Sequence, residues 1–248
     1  MLHMFPRIDQ ATVPFLTTEQ MVEVDRGMIE DFQILLIQMM ENAGRNLAQV
    51  ARLRFLSGDP RGKRVAVLAG VGGNGGGALV CARRLANWGA SVEVFVSKPR
   101  QGFTEVPGHQ FDIVRSMNIP SVAAAPQGDA SYDLVIDGII GYSLRGAPRG
   151  AAADMIRWTR TQSASVLALD TPTGVDASSG SVLDPAIRAT ATMALALPKE
   201  GLRAESARAH VGELYLADIS VPQALYAELS LRLQVSAIFS QSEIVRLV

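Results

Sequence analysis

The chain has 248 residues, 48% of them hydrophobic and 19% charged, with a formal net charge of −1. That balance excludes disorder, supports one large α/β domain over residues 1–248, and lacks the basic face of a nucleic-acid binder, leaving small molecules and proteins as partners. One cysteine, Cys81, excludes an intrachain disulfide; with no signal-peptide pattern and no apolar run near the ~20 residues of a membrane helix, the expectation is a cytoplasmic protein with no membrane contact.

Residues 1–16 carry Pro6 and Pro14 and no period, and read as an extended arm. Thr17-Thr18-Glu19-Gln20 is a helix start, with Thr17 as N-cap and Gln20 three residues on. A first helix is expected to about Asp31, and a second, rich in Leu, Ile and Met, from about Ile34 to Phe55. Asp59 to Gly62 is a turn. Lys63–Ala69 is a β-branched apolar strand, followed by a glycine-rich turn and a helix through Asn87. Further strands are expected at Ser91–Val96, Tyr132–Ile136, Ser165–Leu169, Ala189–Leu197 and Glu213–Ala217. Near-continuous apolar strands alternating with helices imply a doubly wound, mostly parallel, Rossmann-like sheet covered on both faces, a three-layer αβα architecture.

Three segments carry chemistry, and each directly follows a strand. The first, Gly70 to Ala78, contains G-x-G-x-x-G at Gly70, Gly72 and Gly75, with Asn74 as its one functional side chain. Such glycines let backbone amides approach a phosphate or other polar ligand at a helix N-terminus; the same residues also make a tight turn with close packing. A dinucleotide fingerprint wants an acidic residue at the end of the next strand. That strand ends Val96-Ser97-Lys98 and Glu93 lies within it, which disfavours a hydride-transferring dehydrogenase. The second segment, Asp137 to Gly146, places Asp137 at a strand's carboxyl end, where open α/β sheets bind ligands. The third, Asp170 to Asp176, adds a second carboxylate and the Thr173 hydroxyl; Asp176 reads as a turn residue. Two carboxylates, an amide and a hydroxyl at one edge suit a hard cation, or proton transfer by one carboxylate. Asp137 and Asp170 are therefore expected in one pocket.

The other reactive residue types read as structural. His3, His109 and His210 have no partner spacing. Cys81, Met39 and Met40 read as core, and Lys199 as a solvated loop lysine able to reach the site.

Taken in order, the three segments resemble the NAD(P)H-hydrate epimerase family, the YjeF N-terminal domain. Its patterns GxGNNGGDG, DALFGTG and DIPSG correspond to Gly70–Ala78, Asp137–Leu144 and Asp170–Gly174. Its MENAG and PK-x-G-L segments correspond to Met40–Gly44 and Pro198–Leu202, so the resemblance spans about residues 17–222. It implies a homodimeric enzyme, an isomerase interconverting the R and S forms of hydrated NADH and NADPH at nicotinamide C6, in nucleotide repair. By the resemblance, one potassium ion per subunit is held by Asn74, Asp137 and Thr173. The nicotinamide nucleotide is contacted by Gly73, Asn74, Gly75, Gly76, Gly77, Gly141, Tyr142, Ser143, Leu144, Arg145, Gly146, Ala147 and Asp170. Asp170 is the candidate for proton transfer. Three positions depart from the family: Gly73 stands for its first Asn, Gly77 for its Asp and Ala78 for its Gly. The lost amide and carboxylate leave a non-catalytic nucleotide-binding module as the alternative reading.

Overall fold

The computed structural model describes residues 5–128, 130–228 and 231–248; His3 lies outside them. Thr17 caps α1 (Thr18–Glu30) in a full capping box: its hydroxyl accepts from the Gln20 amide, and the Gln20 side chain accepts from the Thr17 amide. After a short connection α2 (Leu36–Val50) continues as a π-helical turn over Ala51–Phe55. Next come β2 (Arg64–Ala69), α3 (Gly73–Asn87), β3 (Ser91–Val96) and α4 (Glu105–Ser116). They are followed by β4 (Ser121–Val122), β5 (Leu134–Gly138), α5 (Gly150–Thr159) and β6 (Ser165–Leu169). The last part holds β7 (Ala191–Leu195), α6 (Arg208–Val211), β8 (Glu213–Ala217), α7 (Gln223–Ala227) and β9 (Ile244–Leu247).

The so-called arm is partly built into the sheet. Its β1 (Arg7–Ile8) pairs in parallel with β9, and Leu16 bridges Lys199. The nine strands run in the order β1-β9-β8-β7-β6-β5-β2-β3-β4, all parallel to their neighbours except at the β8–β9 pair. Each interior strand sends alternate side chains to opposite faces. Val65, Val67 and Ala69 meet Leu47, Leu79 and Leu85 of α2 and α3, whereas Ala66 and Leu68 meet Met155, Ile156 and Trp158 of α5. Farther along the sheet, Leu214 and Leu216 pack with Leu225 and Tyr226 of α7. This is the three-layer α/β sheet expected. No helix among the described residues is long and apolar enough to cross a membrane.

The sheet positions the site through its chain order. From β2 the chain proceeds outward through β3 and β4, then returns to lay β5 on the other side of β2. The loops after β2 and β5 therefore diverge at a topological switch point, the usual ligand crevice of an open α/β sheet.

Candidate active site

Glycine at the switch point is required by crowding. A Cβ on Gly70 would collide with the Ile139 carbonyl oxygen, and one on Gly75 with the carbonyl of Gly70. The glycine-rich turn is shorter than the sequence suggested, since Gly73 to Gly77 already belong to α3. Gly75, Gly76 and Gly77 are buried and serve packing: Gly76 lies under Met40, and Gly77 under Leu169 and Ala43.

A cavity of about 260 Å³ opens at this edge. Gly73, Asn74, Gly141, Tyr142, Ser143 and Asp170 of the sequence-derived set line it. Leu144, Arg145, Gly146 and Ala147 continue the same loop without lining it. The far wall comes from α1 and α2, through Met21, Asp25, Leu36, Met39 and Met40. Met39 and Met40 are buried as expected but do more than fill the core. A wider groove of about 500 Å³ adjoins the cavity through Gly73, Asn74, Gly141 and Ser143. It is lined further by Gly70, Val71 and Gly72, by Lys98 after β3, and by Arg149 at the start of α5.

Asp170 is the charged centre of the cavity. It follows β6 directly and sits at φ +66, a left-handed conformation that a non-glycine residue adopts at a cost of order 1–3 kcal/mol, and one that clusters at functional sites. Its Oδ2 accepts from the Tyr142 amide at 3.1 Å, and its Oδ1 accepts from the Lys199 ammonium. Lys199 is fully buried and also donates to the Leu195 carbonyl at 3.0 Å. The expectation of a solvated loop lysine is therefore corrected. Leu16 exchanges backbone hydrogen bonds with Pro198 and Glu200, laying the N-terminal segment alongside Lys199 and shutting out water. With water excluded, the ammonium needs a carboxylate, and Asp170 supplies it.

Asp25 escaped the sequence reading altogether. It lies on α1, far from every glycine motif, and accepts from the Tyr142 hydroxyl at 2.5 Å. Burial pushes its carboxyl up from the usual carboxylate range, against the pull of that hydrogen bond and of Lys199. The Tyr142 phenol is pushed up as well, by burial and then by Asp25. Lys199 Nζ lies 5.7 Å from the centre of the Tyr142 ring. The sequence signal that could have found Asp25 is weak: one aspartate among the apolar positions Met21, Val24 and Met28 of an amphipathic helix.

Asp137 does not share the cavity with Asp170. As the penultimate residue of β5 it is fully buried and turned toward the loop after β6. Its Oδ2 accepts from the Thr173 amide at 2.8 Å, and its Oδ1 from the Thr173 hydroxyl at 2.7 Å and the Ile139 amide at 3.2 Å. Burial pushes its carboxyl up to about 6, only partly offset by those donors, and it makes no ion pair among the described residues. A buried carboxylate without a countercharge, touching a buried hydroxyl, fits a hard monovalent or divalent cation. Asn74 could join such a cation only through its side-chain oxygen, since its Nδ2, buried and without a hydrogen-bond partner, is a donor that seeks an acceptor.

The remaining candidates are structural. Asp176 Oδ1 accepts from the amides of Ser178 and Ser179, as a turn residue does. His210 Nδ1 is bonded to the Ile187 carbonyl, His109 is exposed, Glu93 lies within β3, and the Cys81 thiol is buried and pushed up by that burial.

Known proteins place this arrangement. The family model described as YjeF-related protein N-terminus matches residues 36–201. The chain is 41% identical over 223 residues to an NAD(P)H-hydrate epimerase of Dehalogenimonas lykanthroporepellens, a stretch covering 90% of this chain and 88% of that one. It is 32% identical over 220 residues to a bifunctional NAD(P)H-hydrate repair enzyme, Nnr, of Moorella thermoacetica; that match covers 86% of this chain and 41% of the relative. The crystal structure of the yeast protein ynu0 (YNL200c) superposes with a TM-score of 0.73 at 24% identity, over 95% of this chain and 100% of that one, and so shares the fold. The chain belongs to the YjeF-related N-terminal family.

Proposed function

We propose that this protein is an NAD(P)H-hydrate epimerase. The observation that carries the reading is Asp170, paired with the buried Lys199, on the wall of a cavity at the switch point, in a chain so similar to an NAD(P)H-hydrate epimerase. The hydrated ring bears its hydroxyl on C6, next to the ring nitrogen. Inverting that carbon means breaking one of its polar bonds and remaking it from the other face, with a proton leaving one heteroatom and arriving at another. Asp170 is the group proposed to move a proton at the ring. The apolar wall of Met21, Leu36, Met39 and Met40 suits the uncharged ring and keeps water from it.

The rest of the nucleotide fits the adjoining groove. The glycine backbone and the Lys98 and Arg149 side chains line it, and neither cation makes an ion pair among the described residues. Both are free for a pyrophosphate or a ribose phosphate. Charge reversal there, Lys98→Glu or Arg149→Glu, should raise KM at least about tenfold with kcat held within about threefold, since the lost interaction is uniform binding. A kcat loss at constant KM would place the phosphates elsewhere.

Asn74, Asp137 and Thr173 are the residues proposed to hold a potassium ion. The ion would supply the positive charge that Asp137 lacks and so fix the loops after β5 and β6. A homodimer and a cytoplasmic location belong to the same proposal, the first checked by sedimentation. The activity itself is tested by incubating the purified protein with one resolved epimer and following the other by chromatography. Conversion faster than the spontaneous rate is the expected result; bound nucleotide without acceleration would make the protein a binding module.

A further inference from the structure

Asp170 is heavily engaged for a sole acid–base group. Lys199 holds one oxygen and the Tyr142 amide the other, and Lys199 is itself fixed between Asp170 and the Leu195 carbonyl. Epimerisation needs two proton movements, one at the substrate oxygen and one at the ring nitrogen. A second pair of groups lines the same cavity and has capacity to spare. The Tyr142 hydroxyl donates its one proton to Asp25 Oδ2, leaving its lone pairs open, and Asp25 Oδ1 has no partner among the described residues. The pair couples α1 to the loop after β5 through two polar groups set beside the apolar Met21, Leu36, Met39 and Met40.

We propose that Tyr142 and Asp25 are the second proton-transfer pair of this site, the Tyr142 oxygen taking the proton of the substrate hydroxyl while Tyr142 passes its own to Asp25. The inference rests on the epimerase reading above and adds to it the group that works on oxygen. In the step, the O–H bond breaks and its electrons form the second C6–O bond. The C6–N1 bond breaks and its pair goes to nitrogen, which takes a proton from the Asp170–Lys199 pair. Rotation about C5–C6 presents the other face of the carbonyl, and the reverse transfers close the ring and return both protons. Tyr142 touches the substrate; Asp25 acts through it as a positioning and proton-accepting residue. Burial holds the phenol protonated, so it hands on a proton only as it receives one. Burial also raises the proton affinity of Asp25, whose charged neighbours are Lys199 and Asp170 besides the Tyr142 hydroxyl.

The test uses the intact protein and one resolved epimer of the hydrate. Tyr142→Phe removes a single oxygen and should lower kcat by at least about 10²-fold with KM within about threefold, the range of a general acid–base group. Asp25→Asn keeps an acceptor for the phenol but no place for its proton. It should lower kcat similarly and remove the fall of kcat at acid pH that the proposal expects of the wild type as Asp25 protonates. Circular dichroism melts confirm that both variants fold; should Tyr142→Phe fail to fold, Asp25→Asn alone decides through its pH profile. Either folded variant turning over within threefold of wild type, with an unchanged profile, overturns the pair and leaves the epimerase reading standing. A wild type that does not accelerate epimerisation overturns both.

Discussion

The buried Asp170–Lys199 pair carries most of the energetic risk in this molecule. Taking two charges out of water is repaid only while both are present; removing one partner leaves an uncompensated charge and costs about 3–5 kcal/mol. Lys199→Met should therefore lower the unfolding free energy by about that amount in urea titrations, and abolish turnover. Adding Asp170→Asn to it should recover most of the stability and none of the activity. If the double variant is as unstable as Lys199→Met alone, the ion pair is not what holds the lysine. The sequence pointed to Asp170 because a carboxylate directly after an apolar strand is a recognisable position. It did not point to Lys199 as buried, because its burial is imposed by Leu16, some 180 residues earlier in the chain, and no local pattern records that contact.

At the scale of elements, the catalytic edge depends on α2 and α3 packing closely enough to bring Met40 and Asn74 to one cavity. Glycines make that possible: a Cβ at Gly44 would strike Val80 and come 2.5 Å from the Gly77 carbonyl oxygen. Gly44→Ala should destabilise by about 1–3 kcal/mol in thermal or urea unfolding, the cost of overpacking, and weaken turnover by parting the helices. The departures from the family pattern behave differently. Gly73 faces nothing nearer than Met40 Cε at 4.0 Å, so Gly73→Asn should be within about 0.5 kcal/mol of wild type. A side chain at Gly77 would come 2.9 Å from Leu169 Cδ2, so Gly77→Asp must move that leucine. The central strands and long helices were readable because they repeat with clear periods. The strands β1 and β4 were not, since two residues have no period, and β9 was missed because its four apolar and basic residues follow a stretch without helical or strand pattern.

For the molecule as a whole, the cation proposal makes folding depend jointly on pH and potassium. Burial raises the carboxyl of Asp137 to about 6 from its ordinary 3.8, so without a cation the folded state binds this proton more tightly than the unfolded chain does. That contribution to stability is complete below about pH 4 and is lost as pH rises through about 6, on the order of 2–3 kcal/mol in all. A potassium ion on the ionised carboxylate opposes the loss. The melting temperature in potassium chloride should exceed that in choline chloride of equal ionic strength by a margin that widens between about pH 5 and pH 7. A margin independent of pH would mean that the ion, if bound, is not bound by Asp137. The central claim concerns chemistry at the switch point, and Asp170→Asn examines it most directly: it keeps the side chain's size while removing the carboxylate. Because it leaves Lys199 without its countercharge, a melt first establishes the temperature at which the variant is folded, and both proteins are assayed there. With one resolved epimer of hydrated NADH as substrate, the variant should convert it at least about 10²-fold more slowly than wild type while binding the nucleotide nearly as well. Equal rates for the two proteins would contradict the account.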